Sequence, residues 1–245
     1  MNETIRLIHN HRSIRKYTEK PIEEDKFKAI IEAGQMASSS SFIQGYTVIR
    51  VKNKENRKKI AKLAGDQPYI EEAPEFLMFC ADLNRVKFAC EMQGVEMKEG
   101  YTESFIIATV DTALMAQNVI LAAESLGITG VYIGGERNNP KEISEILELP
   151  KNVYPVFGMC LGYPRQDPIL RPRLPYDVVL KEDRYSIDGD IEKIQEYDEK
   201  VRKYYIERTK GKINKTWTEQ MAQTMNKELR PHMRKFLKEQ GFEMK

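Results

Sequence analysis

Phe105–Leu126 reads FIIATVDTALMAQNVILAAESL, the longest apolar stretch of the chain. Two folds compete for it. A membrane span would place Asp111, Gln117, Asn118 and Glu124 in hydrocarbon, where polar and charged groups are costly. The stretch therefore predicts a long helix, buried on most sides in the middle of a non-membrane fold. Gly127 is its expected C-cap, and Ile128–Ile133 then reads as a strand ending in Gly134-Gly135.

The segments on either side of this helix alternate in type. Residues 3–9 read as a short helix, and a second begins near Glu23 with Phe27, Ile30 and Ile31 as its apolar stripe. Ser38–Ser41 is a loop, because hydroxyl side chains compete for local backbone hydrogen bonds. Tyr46–Val51 is a strand, Lys54–Leu63 a charged helix closed by Gly65, and Glu75–Ala81 a strand apolar enough to be buried on both faces. Residues 82–100 form a polar helical excursion. Asn139-Pro140 opens a helix to Leu147, and Val153–Leu161 is the last core strand. This order predicts helices packed about a sheet, α/β or α+β. The core is expected over 1–163. In 164–245, Pro164, Pro168, Pro172 and Pro175 stiffen an extended arm ahead of a charged helical tail, read as part of the same domain.

Composition narrows the function. With 39 Lys+Arg against 37 Asp+Glu the net charge is +2, which gives no warrant for a nucleic-acid or membrane-surface partner. Cys80, Cys90 and Cys160 form no C-x-x-C pair, and His9, His11 and His232 have no metal-ligand spacing. A reducing cytoplasm, no metal and, from the polar residues after Met1, no secretory signal are expected. Cys80, Cys160, Met115 and Trp217 read as packing residues, Asp111 as a satisfied polar group, and His232 as surface.

Chemistry concentrates at His11-Arg12-Ser13-Ile14-Arg15, where two guanidiniums, an imidazole and a hydroxyl could converge on a phosphate. A solvated basic turn is the plain alternative. Arg171-Pro172-Arg173 holds two more guanidiniums on a stiff segment, and Gly134-Gly135 would let a flat ligand approach the backbone. Each has a bland reading too: surface arginines, and an ordinary turn. The fingerprints G-x-G-x-x-G, G-x-x-x-x-G-K-[ST] and G-x-S-x-G do not occur, so no Rossmann site, P-loop or hydrolase elbow is indicated.

The order H-R-S-I-R (11–15), S-S-S-S-F (38–42), G-D-Q (65–67), D-T-A-L-M-A-Q-N (111–118), A-A-E-S-L-G (122–127), V-Y-I-G-G-x-R-N-N (131–139) and R-P-R-L-P (171–175) resembles the oxygen-insensitive NADPH nitroreductase and flavin reductase group of the nitroreductase superfamily over essentially the whole chain. The resemblance implies an α+β sandwich with a central antiparallel-type sheet, built as an intertwined homodimer with FMN at the subunit interface. It implies that His11, Arg12, Ser13 and Arg15 touch the FMN phosphate, ribityl chain or pyrimidine edge, with polar contacts from Ser39, Ser41 and Gln67. Tyr132, Ile133, Gly134 and Gly135 would line the isoalloxazine, and Arg171 and Arg173 would reach the phosphate end. Lysine is common in this group at the position of Arg171, so the contact of that guanidinium is open.

The implied reaction is a ping-pong transfer from NADPH, with NADH as a possible donor, to nitroaromatics, quinones or flavins. Flavin N5 carries the chemistry, no catalytic side chain is required, and Arg15 lends electrostatics to the flavin and to NADPH. An arginine at the position of Arg208 reads the NADPH 2′-phosphate in this group. The sequence places Arg208–Lys215 in a flexible loop after a helix ending near Tyr205, with Lys210, Lys212 and Lys215 either assisting or merely solvated. The alternatives are a flavin reductase supplying reduced FMN to a partner enzyme, and a non-catalytic phosphate or nucleotide binder.

Overall fold

The computed structural model describes residues 1–245. Two compact units emerge, residues 1–167 with 230–245, and residues 168–229. The expected 164–245 tail is thus not one piece, because its last stretch rejoins the core.

In the first unit the helices are α1 (Glu3–His9), α2 (Glu24–Gln35), α3 (Lys54–Leu63), α4 (Tyr69–Glu72), α5 (Asn84–Met92), α6 (Thr102–Ser125), α7 (Pro140–Ile146) and α11 (Met233–Glu239). The strands are β1 (Tyr46–Arg50), β2 (Glu75–Asp82), β3 (Thr129–Ile133) and β4 (Val153–Gly162), in the order β1-β2-β4-β3. Every pairing is antiparallel, with Tyr46 opposite Ala81, Glu75 opposite Leu161 and Thr129 opposite Gly162. Of the sequence's two options, α+β is the one observed.

Side-chain alternation divides the core in two. On one face of the sheet Phe76, Met78, Ile133 and Cys160 pack with Ile60 and Ile70; on the other, Leu77, Phe79 and Met159 pack with Met115, Val119 and Ile120 of α6. Because β2 is central and covered on both sides, it reads as an unbroken apolar run. Phe236, Leu237 and Phe242 close a third cluster against Ala108 and Tyr154.

Helix α6 stops where its C-terminus is satisfied: the Ile128 amide donates to the Ala123 carbonyl (3.0 Å) and the Gly127 amide to Glu124 (3.1 Å), with Gly127 at φ +72°. Its burial differs from the expectation. One face, Met115 to Ala123, is fully covered, but Ile106, Val110 and Leu114 form a stripe 45–47% exposed. The helix is long and apolar enough to cross a membrane by length and composition, yet it packs along β2, β1 and β3. A near-uniform apolar sequence conceals which face is covered, since hydrophobic periodicity reports burial only against polar contrast.

The second unit contains α8 (Tyr176–Val179), α9 (Asp190–Thr209) and α10 (Trp217–Met225). Thr216 and Glu219 form a reciprocal capping box at the start of α10, and Trp217 packs edge-on against Tyr197 of α9. Helix α9 runs past the expected end near Tyr205, so Arg208 lies in its last turn. Glu207 and Arg208 are good helix formers, and the chain turns only at Lys210 and Gly211, both left-handed.

Candidate functional site

The basic segment 11–15 is fixed beside the start of β3. The Ile14 amide donates to the Gly130 carbonyl at 2.9 Å, and the hydroxyl of Tyr17 donates back to the Ile14 carbonyl at 2.6 Å. Ile14 is buried, Arg15 is half-buried, and Ser13 is exposed to solvent. His11 Nδ1 lies 2.6 Å from Glu124 Oε1, which orients the ring from α6. Arg12 lines a cavity of about 140 Å³ together with Glu124, Thr129, Gln166 and Asp167. One guanidinium nitrogen reaches the exposed Asp167 at 3.2 Å, while Nε is buried and has no partner. A buried donor without an acceptor is a cost that an anion would remove.

At the other end of β3 Gly135 is packed too closely for a side chain, whereas a Cβ on Gly134 would meet only the tip of Arg137, 3.0 Å away. A Cβ on Gly135 would lie 2.1 Å from the Ala64 carbonyl oxygen and 2.5 Å from Gln67 Nε2. Gln67 is held there by donating to Ala64 O at 2.7 Å and by contact of its Oε1 with the Tyr69 hydroxyl. The Arg15 guanidinium sits 6.0 Å over the Tyr69 ring. Arg15, Gln67, Gly134 and Gly135 are therefore contiguous, although the sequence separates them by more than a hundred positions. Tyr132 and Ile133 do not share a face: Tyr132 packs edge-on to Phe157 on one side, whereas Ile133 is 1% exposed in the opposite core cluster. Any contact of Ile133 with a ligand is left to its backbone.

The serine loop is held from α6. Asp111 accepts from the Ser40 amide at 3.0 Å and from the Gly45 amide at 3.1 Å, and is 1% exposed. Between these anchors Ser41, Phe42 and Gln44 all have positive φ (49°, 60° and 53°), an unusual density of left-handed non-glycine residues. Ser39 is half-buried and Ser41 exposed.

Arg171, Arg173 and Arg208 belong to the second unit. There Arg171 donates to the Tyr205 hydroxyl (2.9 Å), Arg173 to the Arg171 carbonyl (2.8 Å), and Arg208 to the Tyr204 hydroxyl (2.9 Å).

Two basic residues that the sequence reading did not assign brace the glycine turn. Arg230 donates to the Gly134 carbonyl (3.1 Å) and to Asn138 (2.9 Å), while Arg137 donates to the Val156 carbonyl (2.5 Å). Burial, and then the nearby charge of Arg230, pull the Arg137 guanidinium below its usual value. Arg137 was visible as the arginine of V-Y-I-G-G-x-R-N-N. Arg230 had no local signal, since it reaches the turn from the far end of the chain.

An antiparallel four-stranded sheet between helices, with α6 along one face, defines an α+β sandwich. Comparison with known proteins narrows this: a nitroreductase family model matches residues 8–163, and one for that family's C-terminal domain matches 171–245. The chain belongs to the nitroreductase family. It is 43% identical over 241 residues to the NADPH-flavin oxidoreductase of Vibrio harveyi, covering 98% of both chains. It is 41% identical to the oxygen-insensitive NADPH nitroreductase of Salmonella typhimurium, covering 99% of both. Among solved structures, the Vibrio harveyi NADPH:FMN oxidoreductase complexed with NAD+ superimposes with a TM-score of 0.89 at 42% identity, over 98% of each chain. A hypothetical oxidoreductase of Bacillus subtilis gives 0.97 at 42% identity over the full length of both.

Proposed function

We propose that this chain is an FMN-dependent oxidoreductase that passes electrons from NADPH to small electron-poor acceptors by a ping-pong route. The observation that carries the reading is the juxtaposition of Arg15, Gln67 and the half-buried Gly134, which leaves its backbone without a Cβ, in a chain of this family. Bound FMN would supply a hydride-accepting centre, so no side chain need act as nucleophile. The protein's part is to bind and orient. Arg12, with its unpartnered buried Nε, and Arg171 and Arg173 are suited to the phosphate; Arg15 offers positive charge, and the glycine turn admits a flat ring. Nitroaromatics, quinones and free flavins fit as acceptors, because one open site must serve donor and acceptor in turn. Initial rates with NADPH and a nitroaromatic varied together should give parallel double-reciprocal lines; intersecting lines contradict the ping-pong route.

A second reading, a flavin reductase that supplies reduced FMN to another protein, is favoured by relatives named NADPH-flavin oxidoreductase and FMN reductase at 42–43% identity. Turnover with free FMN well above turnover with a nitroaromatic would select it. A cytoplasmic setting suits both readings.

Without a Rossmann fingerprint the dinucleotide lacks a fixed pyrophosphate site, so it is expected to bind transiently. Arg208, exposed on the last turn of α9, is the residue we assign to the 2′-phosphate. A charge-assisted contact of roughly 1.5–3 kcal/mol corresponds to about ten- to a hundredfold in KM. Arg208→Ala should raise KM for NADPH by that factor while leaving kcat and the NADH value nearly unchanged, since the contact is equal in ground and transition states. An equal loss with both donors would assign Arg208 to structure, as its bond to Tyr204 permits.

A homodimer is the assembly that the apolar face of α6 supports. Ile106, Val110 and Leu114 expose an apolar stripe, and Phe42, 81% exposed, stands on the loop that Asp111 anchors to the same helix. A contiguous apolar strip beside polar surroundings marks an interface. Val110→Glu combined with Leu114→Lys should give a monomer in sedimentation and release FMN; a dimer that persists would place the interface elsewhere.

A further inference from the structure

Directly after the glycine pair stands Glu136, which neither the basic cluster nor the arm explains. Its side chain is fully buried at 0% exposure. It turns inward over the sheet, into room that β4 leaves by carrying glycine: a Cβ on Gly158 would lie 2.5 Å from Glu136 Oε1 and 2.7 Å from the Phe76 ring. Neither carboxyl oxygen completes a hydrogen bond. A buried acid in this state is expensive as an anion and tolerable as a neutral group.

The groups facing it come from every side. The backbone amides of Glu136 itself and of Gly158 approach it, and the cations Arg137 and Arg230 stand further off. Tyr69 of α4 and Cys160 of β4 face it as titratable neutrals. Burial outweighs all of these and pushes the carboxyl up to about 7. Both cations are already engaged, Arg137 tying the turn to β4 through Val156 O and Arg230 holding Gly134 O and Asn138. An anion at Glu136 would compete for them. Whichever guanidinium moved inward would take its support away from Gly134–Asn138.

We propose that Glu136 is a proton-linked positioning residue for the flavin: as a neutral acid it packs the Gly134–Asn138 turn in the form that receives FMN, and on ionisation it draws the bracing arginines off that turn and weakens FMN binding. The inference rests on the flavin site proposed above. The sign follows from linkage. An acid whose folded value lies above its unfolded value of about 4.3 costs nothing at low pH, and its cost grows as pH rises until it is complete above about 7. FMN affinity should therefore fall from pH 6 to pH 8.

The test measures FMN release by fluorescence on dilution of the holoenzyme at pH 6 and pH 8, for the wild type, Glu136→Gln and Glu136→Leu. The FMN phosphate, with a second pKa near 6, titrates alike in all three, so the ratio of wild-type to variant Kd isolates the residue. That ratio is expected to grow on the order of tenfold between the two pH values. Thermal melting supplies an independent readout, with Glu136→Leu raising Tm more at pH 8 than at pH 5. Either variant suffices if the other does not fold. A ratio constant within about twofold overturns the proposal, since full coupling predicts about ten. The Arg12→Ala, Arg173→Ala double variant then separates the causes. If that variant loses FMN, the role of Glu136 alone has failed; if it retains FMN, the flavin lies elsewhere and the site reading fails with it.

Discussion

Replacing Arg12 and Arg173 together with alanine is expected to yield protein that purifies without its flavin. Arg12 carries a buried, unpartnered Nε and a single ion pair to the exposed Asp167, and Arg173 donates only to a backbone carbonyl nearby. Each guanidinium thus keeps donors free within its own unit, as the proposed phosphate role requires. A charge-assisted phosphate contact contributes roughly 1.5–3 kcal/mol, so losing two costs about 3–6 kcal/mol, or on the order of 10²- to 10⁴-fold in Kd. Contacts that share one phosphate need not add, which makes the upper figure a ceiling. Arg12→Lys keeps the charge and loses the fork, and should fall between wild type and the alanine variant. The check is the ratio of flavin to protein absorbance after purification. Full retention in the double variant would remove the phosphate assignment.

The second large effect belongs to Asp111. Its carboxylate is the acceptor for both ends of the serine loop, the Ser40 and Gly45 amides, and is almost wholly buried. Asp111→Ala leaves the buried Gly45 amide without an acceptor, at about 1.5–3 kcal/mol for a bond to a charged group, and frees the part-buried Ser40 amide, which water can satisfy at a smaller cost. A loss of about 2–4 kcal/mol is a large share of the ordinary stability of a domain, roughly 5–15 kcal/mol. Asp111→Asn keeps one acceptor oxygen and turns donors toward the other amide, so its loss should be intermediate. Because Ser41, Phe42 and Gln44 hold left-handed conformations between the anchors, the loop should relax once released, and FMN should be held less tightly. Urea denaturation with and without FMN measures both consequences. A destabilisation under about 1 kcal/mol for Asp111→Ala would show that the loop is held by something else.

Several local features were legible in the sequence to within a residue or two, although the helical excursion expected over 82–100 is helix only over Asn84–Met92 and α9 runs past Tyr205 to Thr209. The run EFLMFCA announced a strand covered on both faces, Gly127 announced the end of α6, and Asn139-Pro140 announced α7. Each signal lies within the element it describes. What escaped depends on residues far apart in the chain. The pairing of β2 with β4 joins Glu75 to Leu161, and no local pattern encodes it. A buried Glu136 is possible only because Gly158 stands opposite, and Arg230 braces Gly134 from beyond the whole second unit. Tyr132 and Ile133 were read together as lining residues, but the two-residue period of a strand sends them to opposite faces.

Of the candidate site, the cluster 11–15, Gln67 and the glycine turn were named from sequence, and the structure brings Arg15, Gln67 and the turn side by side through Tyr69. The family resemblance named them; packing explains why they meet. The exposed stripe of α6 was hidden for the opposite reason. Its sequence is apolar on every side, so covered and open faces look alike until neighbours are placed.

The most direct test of the account is an anaerobic half-reaction followed by visible absorption. The purified protein should be yellow, should bleach on one equivalent of NADPH with no acceptor present, and should regain its colour on addition of a nitroaromatic after the oxidised nucleotide has been removed. Protein that is colourless when purified, or that bleaches only when acceptor and NADPH are present together, would contradict it.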